Sequence, residues 1–555
     1  MKNRKIIRLG ALIVASATLL LSGCGSQTDA DSAASSGQTK QGGTLTILSS
    51  STDMDMDPAK SQGLPTTSNG YIFRRLTTWE VDRKGQTKVV PDLATDTGTT
   101  TDGGKTWKYT LKKGLKYDDG TEITSQDIKY GLERSFADSL TGGLSYHKTL
   151  LEGAQDYHGP FDGKSLDSIE TPDSRTIIFH LNSPFGDWPW VASMATFTPV
   201  PKDKGSAQGY GKHPVSSGPY KVETNESGKQ LVLVRNKYWN RETDKVRTAG
   251  PDKIVWKLGQ DASVSAQAVM QGTDEGKNAF LSSFVPPAQL AQAQANPEYS
   301  KLLVTSGDGA LEYLAINTKR VTNLKVRQAI EYGVNKESYR TAKGGAIAGN
   351  YASTLITPGV EGRVQYNLYK AKATGDVAKA KKLLQESGQT VPALKLIATS
   401  DQAEVASAIQ TSLKRIGIKV NIQTLDSEVF SDAETNDAGD YDLVISSWQP
   451  DFPSPYANLS PLFDSSQIGH GNYNLSRYAN DEVDGLIKKA TETVDAKESG
   501  QIWAQADKRI MQDAVVVPLL YSHNTFIHGS NVDNFYVGSF PAYPNYVTVS
   551  LKSDN

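Results

Sequence analysis

A strand–helix–strand pattern in the last third of this 555-residue sequence strongly limits the folds that the chain can adopt. Residues 392–399 form an apolar run, and apolar side chains then recur at helical spacing from Ala406 to Ile416, before Gly417. Residues 418–422 alternate between apolar and polar side chains, as a strand does. Two strands joined through a helix run parallel, so the sequence predicts an α/β lobe here.

The segments on either side extend this lobe. Residues 376–386 form an amphipathic helix pattern that begins at Asp376 and ends at Gly388. Residues 441–448 read as a further strand, which leads into a polar, proline-rich segment. Ligands of open α/β sheets bind beyond the carboxyl ends of strands. Asp451 lies at that place, and we therefore consider it a candidate ligand-binding residue.

Patterns in the rest of the chain are shorter. A capping-box signature, Thr124 to Asp127, predicts the start of a helix over residues 128–137. The further predicted helices cover residues 262–271 and 287–295, and the predicted strands cover residues 44–48, 107–111, 175–181, 231–235 and 253–258.

The amino-terminal residues are typical of an exported protein. Residues 1–8 are basic and residues 9–21 are apolar but too short to span a bilayer, as in a secretory signal. The following Leu21-Ser22-Gly23-Cys24 resembles a lipoprotein cleavage site, which predicts a signal peptide at 1–23 and lipidation (diacyl, including palmitate) of Cys24. Residues 24–42 lack large apolar side chains after the Cys and predict a flexible tether. A soluble secreted protein is the alternative.

Composition narrows the function classes. The chain has 59 basic and 61 acidic residues, so it offers no basic field for nucleic acid, and we expect no nucleic-acid partner. The single Cys excludes an intrachain disulfide and any multi-cysteine metal site. Hydrophobic residues make up 37% of the chain, without an apolar run of the length that spans a bilayer.

Three common catalytic and cofactor-binding motifs are missing from the sequence. It contains no G-x-S-x-G, H-E-x-x-H or G-x-G-x-x-G pattern, and the seven His include no pair spaced by four residues. Asp53-Met-Asp55-Met-Asp57 imitates the start of a calcium loop, but Pro58 occupies the position that requires glycine, so we predict a turn. We expect a protein that is not an enzyme and that has no metal or cofactor. A secreted hydrolase stays open as a less favoured alternative.

Several sequence blocks, in one order, resemble the family 5 extracellular solute-binding proteins, the peptide-binding components of bacterial ABC importers. The blocks lie at residues 42–47, 57–58, 71–79, 91–94, 107–127, 217–220, 233–239, 313–318, 326–330, 441–443 and 448–451. They extend over nearly all of the chain that follows Cys24.

The resemblance implies an α/β, periplasmic-binding-protein-like, two-lobed clam shell of type II with an additional appended domain. The implied first lobe is discontinuous, the implied second lobe is continuous, and ligand binding between them closes the hinge. The boundaries that we expect are 43–80, 201–308 and 519–555 for lobe I, 81–200 for the appended domain and 309–518 for lobe II.

The resemblance also implies a binding mode. In oligopeptide-binding members an Asp in a Trp-x-x-Asp segment pairs with the peptide α-amino group, and Asp451 matches it. A turn-capping role for Asp451 is the alternative. Some members have an Arg six residues earlier that holds the ligand carboxyl end, whereas this chain has Ile445. A fixed-length peptide with a clamped carboxyl end is therefore not expected. Further candidates to contact the ligand are Trp448, Tyr456, Tyr473, Trp188 and Trp190.

We therefore predict a monomeric, extracytoplasmic receptor that is lipid-anchored to the bacterial cell membrane through Cys24. It would deliver peptides to an ABC permease whose ATPase subunits are separate chains. The alternative within the same fold is another solute, namely a metal chelate, an oligosaccharide or a small signalling molecule.

Overall fold

The structure is a computed structural model, and it describes residues 41–83, 85–206 and 208–552. The predicted signal peptide, Cys24 and the predicted tether up to residue 40 lie outside the described residues. Within the described part of the chain, no helix combines the length and the apolar character that crossing a membrane requires.

The helices and strands follow one another along the whole described chain. The strands are β1 (Thr44–Leu48), β2 (Thr77–Val81), β3 (Thr87–Pro91), β4 (Thr106–Thr110), β5 (Ile169–Asp173), β6 (Thr176–His180), β7 (Tyr220–Glu226), β8 (Gln230–Arg235), β9 (Lys253–Lys257), β10 (Ala279–Leu281), β11 (Leu303–Thr305), β12 (Leu311–Ile316), β13 (Gly349–Tyr351), β14 (Leu394–Thr399), β15 (Val420–Leu425), β16 (Leu443–Trp448), β17 (Val516–Ser522), β18 (Thr525–Ile527), β19 (Val532–Asp533) and β20 (Ser550–Leu551). The α-helices are α1 (Ser68–Ile72), α2 (Ser125–Arg134), α3 (Tyr146–Leu150), α4 (Trp188–Val191), α5 (Ala262–Gln271), α6 (Pro287–Ala295), α7 (Pro297–Ser300), α8 (Leu324–Gly333), α9 (Lys336–Ala342), α10 (Val377–Ser387), α11 (Ala403–Arg415), α12 (Ser427–Thr435), α13 (Pro455–Phe463), α14 (Asp481–Glu492) and α15 (Ala496–Gln512).

A five-stranded sheet forms the body that we call the first lobe. Its strand order is β10-β1-β9-β8-β7, with β1 parallel to both β9 and β10 and the remaining neighbours antiparallel. Its core contains Leu45 and Trp256 from the sheet together with Phe526, Tyr546 and Leu551 from the end of the described chain. The first lobe is therefore built from segments that are far apart in sequence.

A six-stranded mixed sheet forms the second lobe, in the order β13-β17-β12-β16-β14-β15. Strands β14 and β15 are parallel, with Leu396 opposite Ile422, and α11 connects them, so the predicted β-α-β unit is confirmed. Helix α10 begins after Asp376, whose carboxylate accepts a hydrogen bond from the backbone N–H of Lys379, and ends at Gly388 with left-handed backbone. The β-α-β unit positions β16 and the polar segment that follows it.

A third part, which we call the appended region, contains β2 to β6 and α2 to α4. Strands β4, β6 and β5 form an antiparallel sheet in which Trp107 faces Phe179, and both side chains are buried. The capping box between Thr124 and Asp127 is present, as predicted. This aromatic core also contains Phe452 and Ala457, which follow β16 in the chain.

The two connections between the lobes run side by side. Strand β11 pairs with β18 and strand β12 pairs with β17, both antiparallel. Between these pairs the N–H of Gly309 donates to the carbonyl of Ser522 at 2.8 Å, and the N–H of Ser306 donates to the carbonyl of Asn524 at 2.9 Å. The connections therefore form one hydrogen-bonded ribbon. The residue boundaries given above for the lobes and the appended domain stay predictions.

A buried charge network connects the first lobe with the appended region. Asp92 accepts hydrogen bonds from Nε of Arg74 at 2.7 Å and from Nη2 of Arg247 at 2.9 Å. Arg247 also donates to Asp244 at 3.1 Å. All four side chains are almost completely buried, so each depends on its partners for solvation.

Candidate functional site

A cavity of 610 Å³ lies between the first lobe and the segment that follows β16. This volume is in the range of small-molecule binding sites. Its lining comprises Ser49, Ser51, Asp53, Met54, Asp55, Gln62, Gly63, Leu64, Thr67, Ser68, Trp256, Ser282, Gln449, Pro450, Asp451, Phe540, Pro541, Tyr543 and Tyr546. Three consecutive lining residues, Gln449 to Asp451, follow β16 of the second lobe, and the others come from residues 49–68, 256, 282 and 540–546.

Asp451 is held by a partner from the appended region. The hydroxyl of Tyr146, the first residue of α3, donates a hydrogen bond to Oδ2 of Asp451 at 2.7 Å. Burial raises the pKa of Asp451 above its ordinary value, and the hydrogen bond from Tyr146 opposes this shift. No local pattern around Tyr146 indicates this contact, and sequence reasoning missed it.

Phe452 fixes the segment that carries Asp451. Its side chain is completely buried in the aromatic core of the appended region. The ring lies 5.3 Å from the ring of Tyr146 and is stacked at 6.5 Å on Trp190 and at 6.4 Å on Tyr456. Since Phe452 follows Asp451 directly in the chain, this packing fixes the backbone next to Asp451, and the hydrogen bond from Tyr146 orients the carboxylate.

The three carboxylates of the cavity differ in their partners. Asp53 forms an ion pair with Lys212 at 2.6 Å, which lowers the pKa of Asp53, and Asp55 forms one with Lys60 at 3.3 Å. Asp451 forms no ion pair with any residue that the structure describes. The lining residues include no Lys, Arg or His. Asp451 is therefore the carboxylate of this cavity that lacks a cationic partner.

Position 445, six residues before Asp451, is apolar and does not line the cavity. Ile445 lies in β16, opposite Leu314 of β12, and its side chain is 1% exposed. Within the described ranges, no group of three or more His, Cys, Asp or Glu side chains is arranged to hold a metal ion.

Two of the candidate aromatic residues lie beside the cavity segment in the second lobe. The rings of Trp448 and Tyr473 are 5.2 Å apart, and the Trp448 indole N–H donates to the carbonyl of Ala457 at 2.7 Å. Tyr473 is 45% exposed. Neither residue lines the cavity.

The other three candidates lie towards the appended region. Trp188 is completely buried, with its ring 5.2 Å from Phe179. Trp190 lines a separate cavity of 360 Å³, which also includes Asp187, whose pKa burial raises to about 6. Tyr456 packs edge-on against Phe185 at 5.0 Å. The structure therefore does not bring these three residues onto the wall of the cavity that contains Asp451.

Sequence reasoning missed most of the wall that the first lobe contributes. The segment with Asp53 and Asp55 follows β1 and lines the cavity, although the structure places the predicted turn later, at residues 58–60. Phe540 and Tyr543 line the cavity from a distant part of the chain. Neither the hydrophobic pattern nor the charge of these segments indicates that they line the same cavity as Asp451.

Comparison with known proteins identifies one family model and several related binding proteins. Residues 88–470 match the family model described as "Bacterial extracellular solute-binding proteins, family 5 Middle". The probable D,D-dipeptide-binding periplasmic protein DdpA of Escherichia coli (strain K12) is 28% identical over 484 residues, which cover 83% of this chain and 85% of that protein. The glutathione-binding protein GsiB of Salmonella choleraesuis (strain SC-B67) is 26% identical over 457 residues, 79% of this chain and 82% of that protein.

Solved structures agree with the sequence relatives. The clavulanic acid biosynthesis oligopeptide binding protein 2 superposes with a TM-score of 0.84 at 30% identity, covering 93% of this chain and 96% of that one. The periplasmic binding protein DppA from Helicobacter pylori, in complex with the peptide STSA, gives a TM-score of 0.67 at 24% identity, covering 93% and 99%. The second of these likenesses concerns the fold alone. The structural neighbours are two-lobed binding proteins of mixed α/β content, as the family resemblance implied.

Proposed function

The chain belongs to family 5 of the bacterial extracellular solute-binding proteins, and we propose that it binds peptides through Asp451 in the cavity between its lobes. The family serves ABC importers that take up peptides. In this proposal the protein delivers its ligand to an ABC permease with separate ATPase subunits, and the binding step involves no catalysis.

The observation that carries the proposal is the missing cation beside Asp451. A largely buried carboxylate is costly to ionise unless a positive group accompanies it. The neighbouring carboxylates Asp53 and Asp55 already have lysine partners, whereas Asp451 has only the Tyr146 hydroxyl among the described residues. The α-amino group of a peptide supplies one positive charge at a constant place, whatever the side chains of that peptide are.

The residues that line the cavity also bear on whether the protein binds the carboxyl end of the ligand. A ligand carboxylate would meet no Lys, Arg or His on the described wall of the cavity, and Ile445 is buried within β16. We therefore propose that the ligand carboxyl end is not clamped. Peptides of different lengths would then bind with similar affinity, provided that the amino end is free.

The test is a double-mutant cycle between the protein and the ligand, measured by isothermal titration calorimetry. Two proteins, the wild type and Asp451→Asn, are each titrated with two forms of one peptide, the free-amine form and the N-acetylated form. Either change alone should weaken binding by about 3–5 kcal/mol, and the two together should cost no more than one. Asp53→Asn is the matched control, because the Asp53 carboxylate lines the same cavity but is already paired with Lys212.

Two outcomes would contradict the proposal. Equal affinity of the wild type for both peptides would contradict the role of Asp451, and cleaved peptide after incubation would contradict a purely binding function.

Localisation is a separate part of the proposal. Members of the family are periplasmic or extracytoplasmic. We propose that this chain is exported and anchored through diacylation of Cys24. Cys24→Ala should abolish the mass increase of the processed protein and move it from the membrane fraction to the soluble fraction, whereas an unchanged distribution would contradict the anchor.

A further inference from the structure

Two exposed aromatic rings, Phe284 and Tyr543, lie together beside the cavity that contains Asp451. Over the described residues, the large hydrophobic side chains with high exposure are Phe161, Val264, Phe284, Leu324, Val364, Val429, Tyr473, Val494 and Tyr543. Four of these are aromatic, and Phe284 and Tyr543 contact each other. Exposed aromatic side chains that form a group are informative, because single exposed apolar residues are common on protein surfaces.

Phe284 and Tyr543 form what we call the aromatic ledge. Their ring centroids are 6.0 Å apart and the ring planes are inclined by 27°, so that they stack. Tyr543 lines the cavity, as does Ser282, two residues before Phe284. The ledge is therefore continuous with the wall of the cavity on the side of the first lobe.

Buried residues support the ledge from behind. The ring of Phe284 packs edge-on against Phe526 at 5.4 Å, and Tyr543 lies 6.2 Å from the same ring. Phe526 is completely buried in the core of the first lobe. Two rings fixed in this way can cover an apolar group without losing much freedom of their own.

The exposed faces determine what the ledge can recognise. Phe284 is 47% exposed and Tyr543 is 37% exposed, so both keep apolar ring surface in contact with water. An aromatic or large aliphatic group laid on them would remove that surface from water, and an aromatic group would also stack. The chemistry of the ledge therefore favours apolar over charged or small groups.

We propose that the aromatic ledge is a subsite for a large apolar or aromatic side chain of the bound peptide. The inference rests on the proposed function, because Asp451 holds the amino end and the ledge then selects among side chains. The occupant is the ligand rather than a partner protein, since the ledge continues a cavity wall instead of standing alone on the surface. The preferred ligands are thus peptides with a free amino end and at least one bulky apolar residue.

The experiment compares four tripeptides of equal charge by isothermal titration calorimetry: trialanine and the three variants with one phenylalanine at each position. The wild type should bind at least one phenylalanine variant about tenfold more tightly than trialanine. Phe284→Ala should remove most of this preference and leave the affinity for trialanine nearly unchanged. Tyr543→Ala should also remove most of the preference. Phe284→Leu should retain part of it.

Phe161→Ala is the matched control, since Phe161 is 45% exposed but lies away from the cavity lining. It should keep the full preference for phenylalanine. The inference is overturned if the wild type shows no preference for phenylalanine-containing peptides. It is also overturned if Phe284→Ala and Tyr543→Ala both keep the preference of the wild type. Intact selectivity combined with loss of permease stimulation would assign the ledge to a partner surface instead. Absence of binding for all four peptides would overturn the proposed function itself, which separates the two failures.

Discussion

The hydroxyl of Tyr146 donates to Oδ2 of Asp451 at 2.7 Å, although 305 residues separate the two in sequence. The contact joins the appended region to the segment that follows β16. A neutral hydroxyl can stabilise a carboxylate but cannot balance its charge. The pair therefore keeps Asp451 oriented while leaving it in need of a cation.

The first prediction concerns this hydrogen bond. Tyr146→Phe removes the donor, which should raise the pKa of Asp451 further and weaken the binding of free-amine peptides by about 1–2 kcal/mol at neutral pH. Isothermal titration calorimetry measures the change. Tyr157→Phe is the control, because it removes a hydroxyl that donates to the carbonyl of Lys164 in the same region. Wild-type affinity in Tyr146→Phe would show that the hydroxyl has no role in binding.

The second prediction concerns pH and ligand binding. The pKa of Asp451 is raised by burial, and pairing with an amine requires the ionised form. As the pH falls through that raised pKa, the carboxylate is protonated and the affinity for free-amine peptides should fall by about tenfold per pH unit. Titrations between pH 7 and pH 4 test this. N-acetylated peptides, and the variant Asp451→Asn, should show almost no such dependence, and a steep dependence in either would identify a different titrating group.

The third prediction concerns acid stability and His147. This side chain is completely buried, and burial lowers its pKa to about 3. The unfolded chain takes up the proton near pH 6.5 but the folded chain does not. Stability should therefore fall as the pH drops from about 6.5 towards 3, by up to about 1.4 kcal/mol per pH unit for this group. Guanidinium unfolding at pH 7 and pH 5 measures the loss.

His147→Gln should reduce that loss between pH 7 and pH 5, even if the variant is less stable at both values. His213→Gln is the control, because His213 is exposed. An identical pH dependence in the His147 variant and the wild type would mean that other groups control acid unfolding.

The fourth prediction concerns the buried charge network. Asp92→Asn leaves Arg74 and Arg247 without their shared carboxylate and should reduce the free energy of unfolding by about 3–5 kcal/mol. Glu80→Gln, which breaks the exposed pair with Lys88, should change it by less than about 1 kcal/mol. Chemical denaturation compares the two variants, and similar losses would argue against the difference in burial as the cause.

Much of the fold was predictable because its signals are local. The helix predicted at residues 262–271 and the one predicted at 287–295 have these bounds in the structure, and β14, α11 and β15 form the expected parallel unit. In each case the spacing of apolar residues and the capping residues act within one element. Such patterns do not depend on the remainder of the chain.

The site was predictable only in part, for the opposite reason. The position of Asp451 beyond a strand follows from local pattern, whereas its partner Tyr146 and the opposite wall with Phe540 and Tyr543 come from distant segments. No periodicity encodes such contacts. The role of Asp451 and of the candidate aromatic residues accordingly remains a prediction.

The discontinuity of the first lobe has a consequence for the order in which the protein is completed. The apolar faces around Leu45 and Trp256 are covered by Phe526, Tyr546 and Leu551, and Phe540 and Tyr543 line the cavity. A ribosome adds these residues after the strands and helices of the second lobe, which precede them in the chain. The core of the first lobe therefore stays open during synthesis until these residues have been added, and the wall of the cavity is incomplete until then.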